Sequence, residues 1–571
     1  MIRLGKLALH HCDECNLPLL KKRCACGNEA RQVKITPPGD IRPAFEFDMK
    51  MIKNTIEKQF GSCYMTNVVL LNNIPSIDRN DEVIMDGRVA GNFFYDIFSK
   101  KYKFQPRPWY ASMLDIKKGY VVADKGAVSS ILNSSNLMAP GVREVDEEIK
   151  EGDEVIVIYD GKVIATGKAK MDGDKMKGNR GMAVKIRWRG IEKLKKKKKV
   201  SWNDVIKANE DIIYSYVKNE EKFIENVMQK YNLKPAISFS GGKDSLAMLS
   251  LVIEAGYEMP IIFANTGLEF EETVRHVYDI ASFFDLELIE GNAGNKFWES
   301  IDFFGPPARD YRWCCKVCKL GIIGKIIKEK FSKGLLSFIG QRRYESERRA
   351  EHGKIWKNPW VHGQIAVSPI QNWTALHIWL YLFIKKLKWN ILYEKGFYRI
   401  GCWLCPACNM ADFELKKHND FSKFNKKLKE YAKKHHLPKE WLSYGLWRWR
   451  HPPRWSSIRY EIREEREYKI EGNEGRIENF LWIIGKVNKI KRGEYEIDSI
   501  KVELGKEIKV SKNERLIKDA IFRAINCVGC YICYSKCPAN AIYMKDGKAY
   551  IKNKCKHCLE CMDECVVTVF K

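Results

Sequence analysis

The hydrophobic and polar positions in the middle of the chain predict a parallel α/β fold. Residues 201–232 alternate apolar and charged side chains at helical spacing. After them, KPAISFS predicts a buried strand, SLAMLSLVIEAG predicts a helix that ends at Gly256, and MPIIFANTG predicts a second strand. Strand, turn, helix and strand in this order make one unit of a parallel sheet.

Two segments upstream are predicted to be rich in β-structure. Residues 117–191 contain short Val- and Ile-rich runs divided by Gly and Asp, and Asp160-Gly161 is typical of a tight hairpin turn. Residues 37–116 open with a Pro-Pro-Gly turn and favour a mixed α/β segment, in which RNDEVIMDGRVAGNFFYD forms strand, turn and strand. We find no chemistry in residues 37–116 and expect them to pack against or position other parts.

Length and charge restrict the possible classes of protein. A chain of 571 residues exceeds the size of one core, so several domains are expected. Lys and Arg number 99 against 72 Asp and Glu, which favours an acidic polymer such as nucleic acid as a partner. The alternative is a Lys- and Glu-rich surface from a hot or salty habitat. No apolar run is long enough to span a membrane and the N-terminus does not resemble a secretory signal, so we expect a soluble, cytoplasmic protein.

The cysteines point to metal binding. Of 19 Cys, all but Cys63 fall in five tight clusters, which in a chain without an export signal favours metal ligands over disulfides. Residues 1–36 form a zinc-ribbon-like segment whose short spacings suit a four-thiolate zinc site, the alternative being a redox pair. Its ligands would be Cys12, Cys15, Cys24 and Cys26.

Residues 117–191 resemble a PUA domain, a small RNA-binding barrel. The matching pieces are Lys125-Gly126-Ala127, the turn at 138–142, Gly152-Asp153-Glu154-Val155, Ala165-Thr166-Gly167 and the stretch 177–184. The resemblance implies contact with structured RNA, for which tRNA is our expectation; the plain alternative is a small β domain of another kind. The basic run at 192–200 is then either a solvated linker or a grip for phosphate.

A glycine-rich turn follows the first predicted strand of the α/β unit. Its glycines let backbone N–H groups converge at the start of a helix, where an anion is favoured, and a lysine and two serines add charge and hydroxyl groups. The spacing is not that of a Walker A loop. The turn consists of Ser240, Gly241, Gly242, Lys243, Asp244 and Ser245.

This turn resembles the PP-loop of ATP pyrophosphatases. The resemblance implies a doubly wound parallel sheet of the adenine nucleotide alpha hydrolase type, with pyrophosphate held in the loop and the α-phosphate attacked. ATP or adenylyl sulfate, with Mg, is the expected ligand. A glycine-rich turn with incidental Ser and Lys is the alternative.

Further motifs resemble the PAPS reductase branch of that superfamily. Thr266 and Gly267 lie in NTGLEF after the second strand, and GQRRYESERR at 340–349 fits that family's G-x-R-x-x-E-S-x-x-R. The match spans about 230–410 within a domain placed at 201–456. It implies that Arg342 and Arg349 face phosphate or sulfate, and we expect them to form the catalytic set with Lys243 and Asp244.

The cysteines of this domain depart from the reductase pattern. No Glu-Cys-Gly-x-His motif, which carries the reductase nucleophile, is present. Instead RWCCKVCK resembles the Cys-Cys ligand pair of adenylyl-sulfate reductases, and a second triplet supplies a Cys-x-x-Cys. We expect some of the six to hold a [4Fe–4S] cluster, with zinc as the alternative and any spare Cys as a sulfur carrier or nucleophile. The six are Cys314, Cys315, Cys318, Cys402, Cys405 and Cys408.

The C-terminal part ends in a ferredoxin pattern. Residues 410–456 are basic and aromatic and predict either a helical cap with buried Trp or a base-stacking surface, and 457–520 look like a connector. Residues 521–571 have the spacing of a two-[4Fe–4S] ferredoxin, in which each fourth Cys serves the other cluster. Val566 replaces the usual second Pro. The two predicted ligand sets are Cys527, Cys530, Cys533 and Cys565, and Cys537, Cys555, Cys558 and Cys561.

Three functions fit these parts. The first is RNA sulfuration, in which ATP adenylates a base carbonyl oxygen and sulfur displaces AMP, with electrons from the ferredoxin segment and an external donor to it. The second is reduction of adenylyl sulfate or its 3′-phosphorylated form to sulfite, which leaves the PUA-like barrel without a task. The third is an RNA-bound redox sensor that binds nucleotide without catalysis. The oligomeric state is not readable from the sequence.

Overall fold

The computed structural model describes residues 8–191, 197–416, 421–464, 468–505 and 507–570. Of the basic run predicted at 192–200, residues 192–196 therefore lie outside the described residues. None of the helices in these ranges combines the length and the apolar character that crossing a bilayer requires.

The N-terminal cysteine segment is a small sheet attached to the longest helix of the central domain. Its strands pair antiparallel in the order β2-β1-β3. Asn209 of that helix donates to the carbonyl of Pro18 (3.0 Å) and accepts from the N–H of Leu20 (2.8 Å), so side-chain hydrogen bonds fix the sheet in place. The strands are β1 (His10–Cys12), β2 (Leu17–Leu19) and β3 (Arg31–Gln32).

Residues 37–116 form a five-stranded antiparallel sheet covered by a helix. The strand order is β4-β5-β6-β7-β8, and the predicted strand–turn–strand is confirmed as β6 and β7. The covering helix buries Ile52, Ile56 and Phe60, which are spaced four residues apart and so share one face. The elements are β4 (Ile41–Pro43), α1 (Glu46–Phe60), β5 (Leu70–Asn73), β6 (Asn80–Met85), β7 (Arg88–Asp96), β8 (Lys101–Pro106) and α2 (Pro108–Ala111).

Residues 120–189 form a six-stranded barrel-like sheet in the order β10-β14-β13-β12-β9-β11. The predicted hairpin turn at Asp160-Gly161 is confirmed, because both residues have positive φ and join β12 to β13. The elements are β9 (Tyr120–Ala123), α3 (Lys125–Leu132), β10 (Leu137–Met138), β11 (Val142–Val145), β12 (Glu154–Tyr159), β13 (Lys162–Ala169) and β14 (Met182–Arg189).

The central domain contains the predicted parallel sheet. Strand order is β17-β16-β15-β18-β20-β19, and every neighbouring pair is parallel except β19 with β20. The strands are β15 (Lys234–Ser238), β16 (Ile261–Asn265), β17 (Leu288–Asn292), β18 (Leu335–Ile339), β19 (Ile355–Lys357) and β20 (Gln364–Val367). The predicted helix–strand–helix–strand run is confirmed, although the helix after the turn already begins at Lys243.

Helices cover both faces of this sheet. Ala236 and Ile262 belong to one buried apolar cluster, whereas Ile237 and Ile261 belong to the other, as alternation along a strand requires. The helices are α4 (Trp202–Lys230), α5 (Lys243–Glu254), α6 (Glu271–Phe283), α7 (Lys296–Phe304), α8 (Trp313–Cys315), α9 (Gly321–Lys330), α10 (Glu347–Ala350), α11 (Ala375–Ile384), α12 (Met410–Leu415), α13 (Phe421–Lys434) and α14 (Lys439–Ser443).

The aromatic segment at 410–456 is largely a buried cap. Trp441 and Trp447 are 1% and 4% exposed and pack in the apolar cluster on one face of the sheet. Arg448 is fully buried and donates to Asp78 of the five-stranded domain. These contacts agree with the helical-cap alternative for this segment.

The C-terminal part is a folded unit rather than an extended connector and tail. A helix and a four-stranded sheet from the expected connector share one apolar core with the cysteine-rich segment, through residues such as Phe480, Ile517 and Ile551. The elements are α15 (Glu474–Leu481), β21 (Val487–Lys491), β22 (Glu494–Ile497), β23 (Ile500–Leu504), β24 (Ile508–Val510), α16 (Glu514–Asn526), α17 (Ile532–Lys536), β25 (Ile542–Lys545), β26 (Lys548–Ile551) and α18 (Val566–Val569).

Candidate active site

The glycine-rich turn lies where the strand order of the central sheet reverses. From β15 the chain moves to β16 and β17 on one side, and it later returns to β18 on the other. The turn at 240–245 follows β15, and the motif that begins at Gly340 follows β18. Ligands of open parallel sheets bind in the crevice at such a switch point, so the two motifs flank the expected nucleotide site.

Close backbone packing shapes the turn. Gly241 has φ +72° and faces Thr273, which leaves no space for a side chain there. A Cβ on Gly340 would lie 2.5 Å from the backbone N of Ser245, so the second motif touches the first turn of α5 directly. The hydroxyl groups of Ser240 and Ser245 lie 3.2 Å apart. The arrangement presents a helix N-terminus to the crevice, as an anion site requires.

Tyr393 contributes to this turn, and the sequence analysis did not identify it. Its hydroxyl oxygen accepts a hydrogen bond from the backbone N–H of Lys243 at 3.0 Å. Burial raises the pKa of Tyr393 well above its ordinary value, so the hydroxyl stays neutral. Its hydroxyl therefore pairs with one of the backbone N–H groups at the start of α5 that have no partner within the helix.

Lys243, Asp244 and Arg342 form one buried charge network. Lys243 donates to Asp244 at 2.7 Å, and Arg342 donates to the same carboxylate through Nε. Burial alone would raise the pKa of Asp244, but the charges of Arg342 and Lys243 outweigh it and lower the pKa to about 2. Asp244 is therefore a permanent anion beside the turn.

Arg342 also binds a residue from outside the domain. Its two terminal nitrogens donate to Asp40 at 2.6 and 2.9 Å, and its side chain is 2% exposed. Asp40 in turn accepts from the N–H of Ala375 at the start of α11 (2.6 Å). The structure thus gives Arg342 two carboxylate partners, and its predicted contact with phosphate stays a prediction. No sequence signal singled out Asp40.

Arg349 is the more accessible of the two predicted arginines. It lies on α10, about a third of its side chain is exposed, and it forms an ion pair with Glu345 one turn earlier. Its predicted contact with phosphate or sulfate, for which the arginine fork is suited, stays a prediction.

Thr266 connects the nucleotide motif to the central cysteines. It follows β16, and its hydroxyl donates to the carboxylate of Glu269 (2.9 Å) and lies 3.5 Å from Sγ of Cys402. Gly267, at φ +75°, packs against the carbonyl of Gly294. The backbone N–H of Trp403 donates to the carbonyl of Leu268 (2.8 Å), so the two segments are joined at backbone level.

The structure brings the two central cysteine triplets together. Cys314 and Cys315 are adjacent in α8 and both interact electrostatically with Cys405, and Cys402 interacts with Cys405 and Cys315. The neighbouring thiol of Cys314 and the charge of Arg312, whose Nη2 lies 3.2 Å from Sγ of Cys315, lower the pKa of Cys315 to about 6. The neighbouring thiol of Cys408 and the charge of Arg312 lower the pKa of Cys405 as well, whereas burial raises the pKa of Cys402. Cys315 and Cys405 therefore favour the thiolate, which is the metal-binding form.

The two remaining central cysteines lie at the margin of this group. The backbone N–H of Cys408 donates to the carbonyl of Cys405 (3.0 Å). Cys318 is 1% exposed, lies in a π-helical turn at Lys316–Leu320, and interacts with Cys315 on one side and with Cys530 of the C-terminal unit on the other. Such π-helical turns are frequent at functional sites.

The four N-terminal cysteines have the geometry of a zinc site. Their ligand sulfur atoms all lie within 4.8 Å of one another, and Sγ of Cys12 is 3.7 Å from Sγ of Cys26. Tetrahedral zinc with Zn–S bonds of about 2.3 Å places its sulfurs about 3.8 Å apart. Cys12, Cys15, Cys24 and Cys26 therefore fit zinc.

The C-terminal cysteines line two separate cavities. Cys527, Cys530, Cys533 and Cys565 surround one of them, together with apolar side chains such as Phe480 and Val567. Cys537, Cys555, Cys558 and Cys561 surround the other. Each cavity collects three cysteines of one motif and the last of the other, which is the pairing expected for two [4Fe–4S] clusters.

The first of these cavities lies against the central domain. A Cβ on Gly321, at the start of α9, would be 1.7 Å from the carbonyl oxygen of Cys530. Lys328 donates to the carbonyl of Cys537 (3.1 Å), and the hydroxyl of Tyr311 donates to that of Phe570 (2.6 Å). The C-terminal unit is thus docked beside the central cysteines.

The fold and the site define a multidomain α/β protein with two recognisable domains. Residues 234–408 match the phosphoadenosine phosphosulfate reductase domain, and residues 119–188 match the PUA domain. A phosphoadenosine phosphosulfate reductase domain indicates an enzyme that acts on adenylyl nucleotides.

The chain belongs to the family of an uncharacterized protein of Methanocaldococcus jannaschii. The two are 38% identical over 468 residues, which cover 78% of this chain and 97% of the relative. A second uncharacterized protein of that organism is 29% identical over 75% of this chain and all of its own length. Adenosine 5′-phosphosulfate reductase of Bacillus cytotoxicus is 26% identical over 32% of this chain and 77% of its own.

Solved structures match individual parts of the chain. A hypothetical protein of Pyrococcus horikoshii is 27% identical and covers 26% of this chain and 93% of its own, with a TM-score of 0.22. Phosphoadenylyl-sulfate reductase of Candida auris is 18% identical, and the match covers 34% of this chain and 94% of that chain, with a TM-score of 0.27.

Proposed function

We propose that the protein sulfurates a base of RNA, with tRNA as the expected substrate, after activating that base with ATP. The observation that carries the proposal is the contact between Thr266 of the nucleotide motif and Cys402 of the central cysteines, at 3.5 Å, in a chain that also has a PUA domain. Adenylation and sulfur chemistry would then share one site, and the PUA domain would supply RNA binding.

In the first step the loop holds ATP by its phosphates. The N–H groups at the start of α5 and the charge of Lys243 stabilise the charge that develops on pyrophosphate. The base carbonyl oxygen attacks the α-phosphorus, the bond to pyrophosphate breaks, and the base carries AMP. Asp244, held by Arg342, fixes the position of Lys243.

In the second step a sulfur atom replaces the activated oxygen. Sulfide from an external donor attacks the carbon, and AMP leaves with the oxygen. A central thiol that is not a metal ligand, such as that of Cys408 or Cys318, would carry the sulfur. If the sulfur is carried as a persulfide, two electrons are needed to release it as sulfide. The C-terminal cysteines would hold [4Fe–4S] clusters, which supply single electrons when bound.

The rival function is reduction of adenylyl sulfate to sulfite. It is favoured by the grouping of Cys314, Cys315, Cys402 and Cys405 and by the similarity to adenosine 5′-phosphosulfate reductases. Sulfite formation assigns no role to the PUA domain, and the sequence has no Glu-Cys-Gly-x-His motif to supply the nucleophile.

Anaerobically purified protein separates the two functions. It is incubated with ATP or with adenylyl sulfate, with and without bulk tRNA. RNA-dependent pyrophosphate release, abolished in Lys243→Ala, is expected. Sulfite from adenylyl sulfate without RNA would instead establish the rival.

A further inference from the structure

A cavity with a mixed apolar and polar lining lies away from the nucleotide motif. It has a volume of about 500 Å³ and lies between the N-terminal cysteine sheet, the five-stranded domain and the end of the basic run. None of its lining residues belongs to the turn at 240–245 or to the motifs around Thr266 and Gly340. Its size is within the range of small-molecule sites, which is about 300–1,000 Å³.

The cavity wall carries buried polar atoms without partners. His11 is 1% exposed and Asn16 is 5% exposed. Nε2 of His11 and Oδ1 of Asn16 have no hydrogen-bond partner among the described residues. Buried polar atoms are almost always paired, so two such atoms lining one cavity indicate a ligand that supplies the missing bonds.

The remaining polar groups of the wall are held in fixed positions. Asp86 accepts from the hydroxyl of Tyr64 and from Nδ2 of Asn16, both at 2.8 Å, and Asn16 also donates to the carbonyl of Lys198 (2.8 Å). An aromatic ring, a carboxylate and an amide oxygen that are fixed in this way suit the flat face and polar edge of a nucleobase.

Lysines lie at the rim of the cavity. Lys197 forms an ion pair with Asp13, with Nζ 3.1 Å from a carboxylate oxygen, whereas Lys198 and Lys199 are exposed. Their charges lie within the same wall as the unpaired atoms, so an anion attached to the buried group would be stabilised there.

We propose that this cavity binds one nucleotide of a single-stranded RNA segment. The base enters the cavity against Tyr64 and bonds to His11 and Asn16, and its phosphate contacts Lys198 and Lys199. The proposal rests on the RNA partner of the proposed function but not on its chemistry. It gives residues 37–116, the cysteine segment and the basic run a shared task.

The test uses a fluorescein-labelled tetrauridylate that contains one 4-thiouridine. Binding to the full chain is followed by anisotropy at two salt concentrations, and the photocrosslinked peptide is identified by mass spectrometry. Crosslinking to the segment around Tyr64 is expected. Crosslinking confined to the PUA domain or to the turn at 240–245 overturns the proposal.

Two variants and a matched control locate the contacts. Lys198→Ala with Lys199→Ala is expected to weaken binding about tenfold and to reduce its salt dependence. The control, Lys207→Ala with Lys218→Ala, removes the same charge from the exposed face of α4 and is expected to leave affinity unchanged. Asn67→Trp, at an exposed position of the wall, fills the cavity and should abolish the crosslink. Equal binding by all variants overturns the site.

A competition experiment distinguishes an RNA segment from a free nucleotide as the ligand of the cavity. Free uridine 5′-monophosphate is expected not to displace the tetrauridylate at equal concentration, and displacement would overturn the RNA assignment. The outcomes are distinguishable from those of the proposed function. Tetrauridylate binding without RNA-dependent pyrophosphate release would defeat only the sulfuration proposal, and the reverse result would defeat only this one.

Discussion

Asp40 and Arg342 are 302 residues apart in sequence and form a two-bond ion pair beneath the glycine-rich turn, with N–O distances of 2.6 and 2.9 Å. The carboxylate comes from the five-stranded domain and the guanidinium from the motif after β18. Arg342 also holds Asp244, which in turn holds Lys243. The five-stranded domain, in which we find no catalytic motif, therefore positions a residue at the candidate nucleotide site.

Replacement of Asp40 by Asn is expected to affect both stability and nucleotide binding. Removing one partner of a buried ion pair costs about 3–5 kcal/mol, because the other charge stays buried. Urea unfolding and ATP titration calorimetry measure the two effects. Asp78→Asn is the matched control, since Asp78 is a buried partner of Arg448 away from the turn. It should lower stability alone; equal ATP affinity in both variants would contradict the role of Asp40.

The decrease in the free energy of unfolding at acid pH should depend partly on Asp244. Its pKa is about 2 in the folded chain, below the ordinary value of 3.8. A depressed pKa stabilises the fold above the unfolded value, and this contribution is lost as the pH falls from about 4 to 2. Asp244→Asn should flatten the pH dependence of unfolding in that window. An unchanged slope would show that other carboxylates determine it.

Gly340→Ala should disrupt the nucleotide site without changing any charge. The added Cβ would lie 2.5 Å from backbone atoms of Ser245, so the motif after β18 must move away from α5. ATP binding is expected to fall at least about tenfold. Gly353→Ala is the control, since a Cβ there meets nothing within 4 Å and its φ is not positive. The two variants would behave alike only if the close packing at Ser245 had no effect on the ligand.

The sequence predicted local elements better than long-range pairs. The α4–β15–α5–β16 run and both hairpins are confirmed because each depends on nearby residues and a single turn. Asp40 and Tyr393 were missed, because their partners are distant in sequence and an isolated Asp or Tyr carries no signal. The expected connector at 457–520 also proved to be folded, since its core is completed by the cysteine-rich segment.

The cysteine motifs were informative because ligand spacing is local. In the structure the sulfur atoms of the four N-terminal cysteines lie within 4.8 Å of one another, and the eight C-terminal cysteines line two cavities, four in each. The six central cysteines were ambiguous, since two triplets about 85 residues apart can be combined in several ways. Only the fold shows Cys314, Cys315, Cys402 and Cys405 as one group.

Cys26→Ser is expected to release the N-terminal metal selectively. Structural zinc supplies folding energy to a segment too small for its own core, so the sheet should loosen from α4 when one thiolate is removed. Zinc content measured by mass spectrometry should fall by one per chain, with iron unchanged. Cys63→Ser, which changes the one cysteine outside the clusters, should retain all metal. Loss of iron in Cys26→Ser would indicate that the segment serves another site.

Gly321→Ala is expected to separate the C-terminal unit from the central domain. The new Cβ would lie 1.7 Å from the carbonyl oxygen of Cys530, and a backbone atom cannot yield as a flexible side chain can. Hydrogen exchange should increase in α9 and around Gly529, and reduction of the central site by an external donor should slow. Iron content should not change, because the C-terminal cysteines are all within one unit. Gly475→Ala, on open surface of α15, should leave exchange as it is. If both variants exchanged alike and were reduced at the same rate, the contact at Cys530 would not be the route between the two cysteine sites.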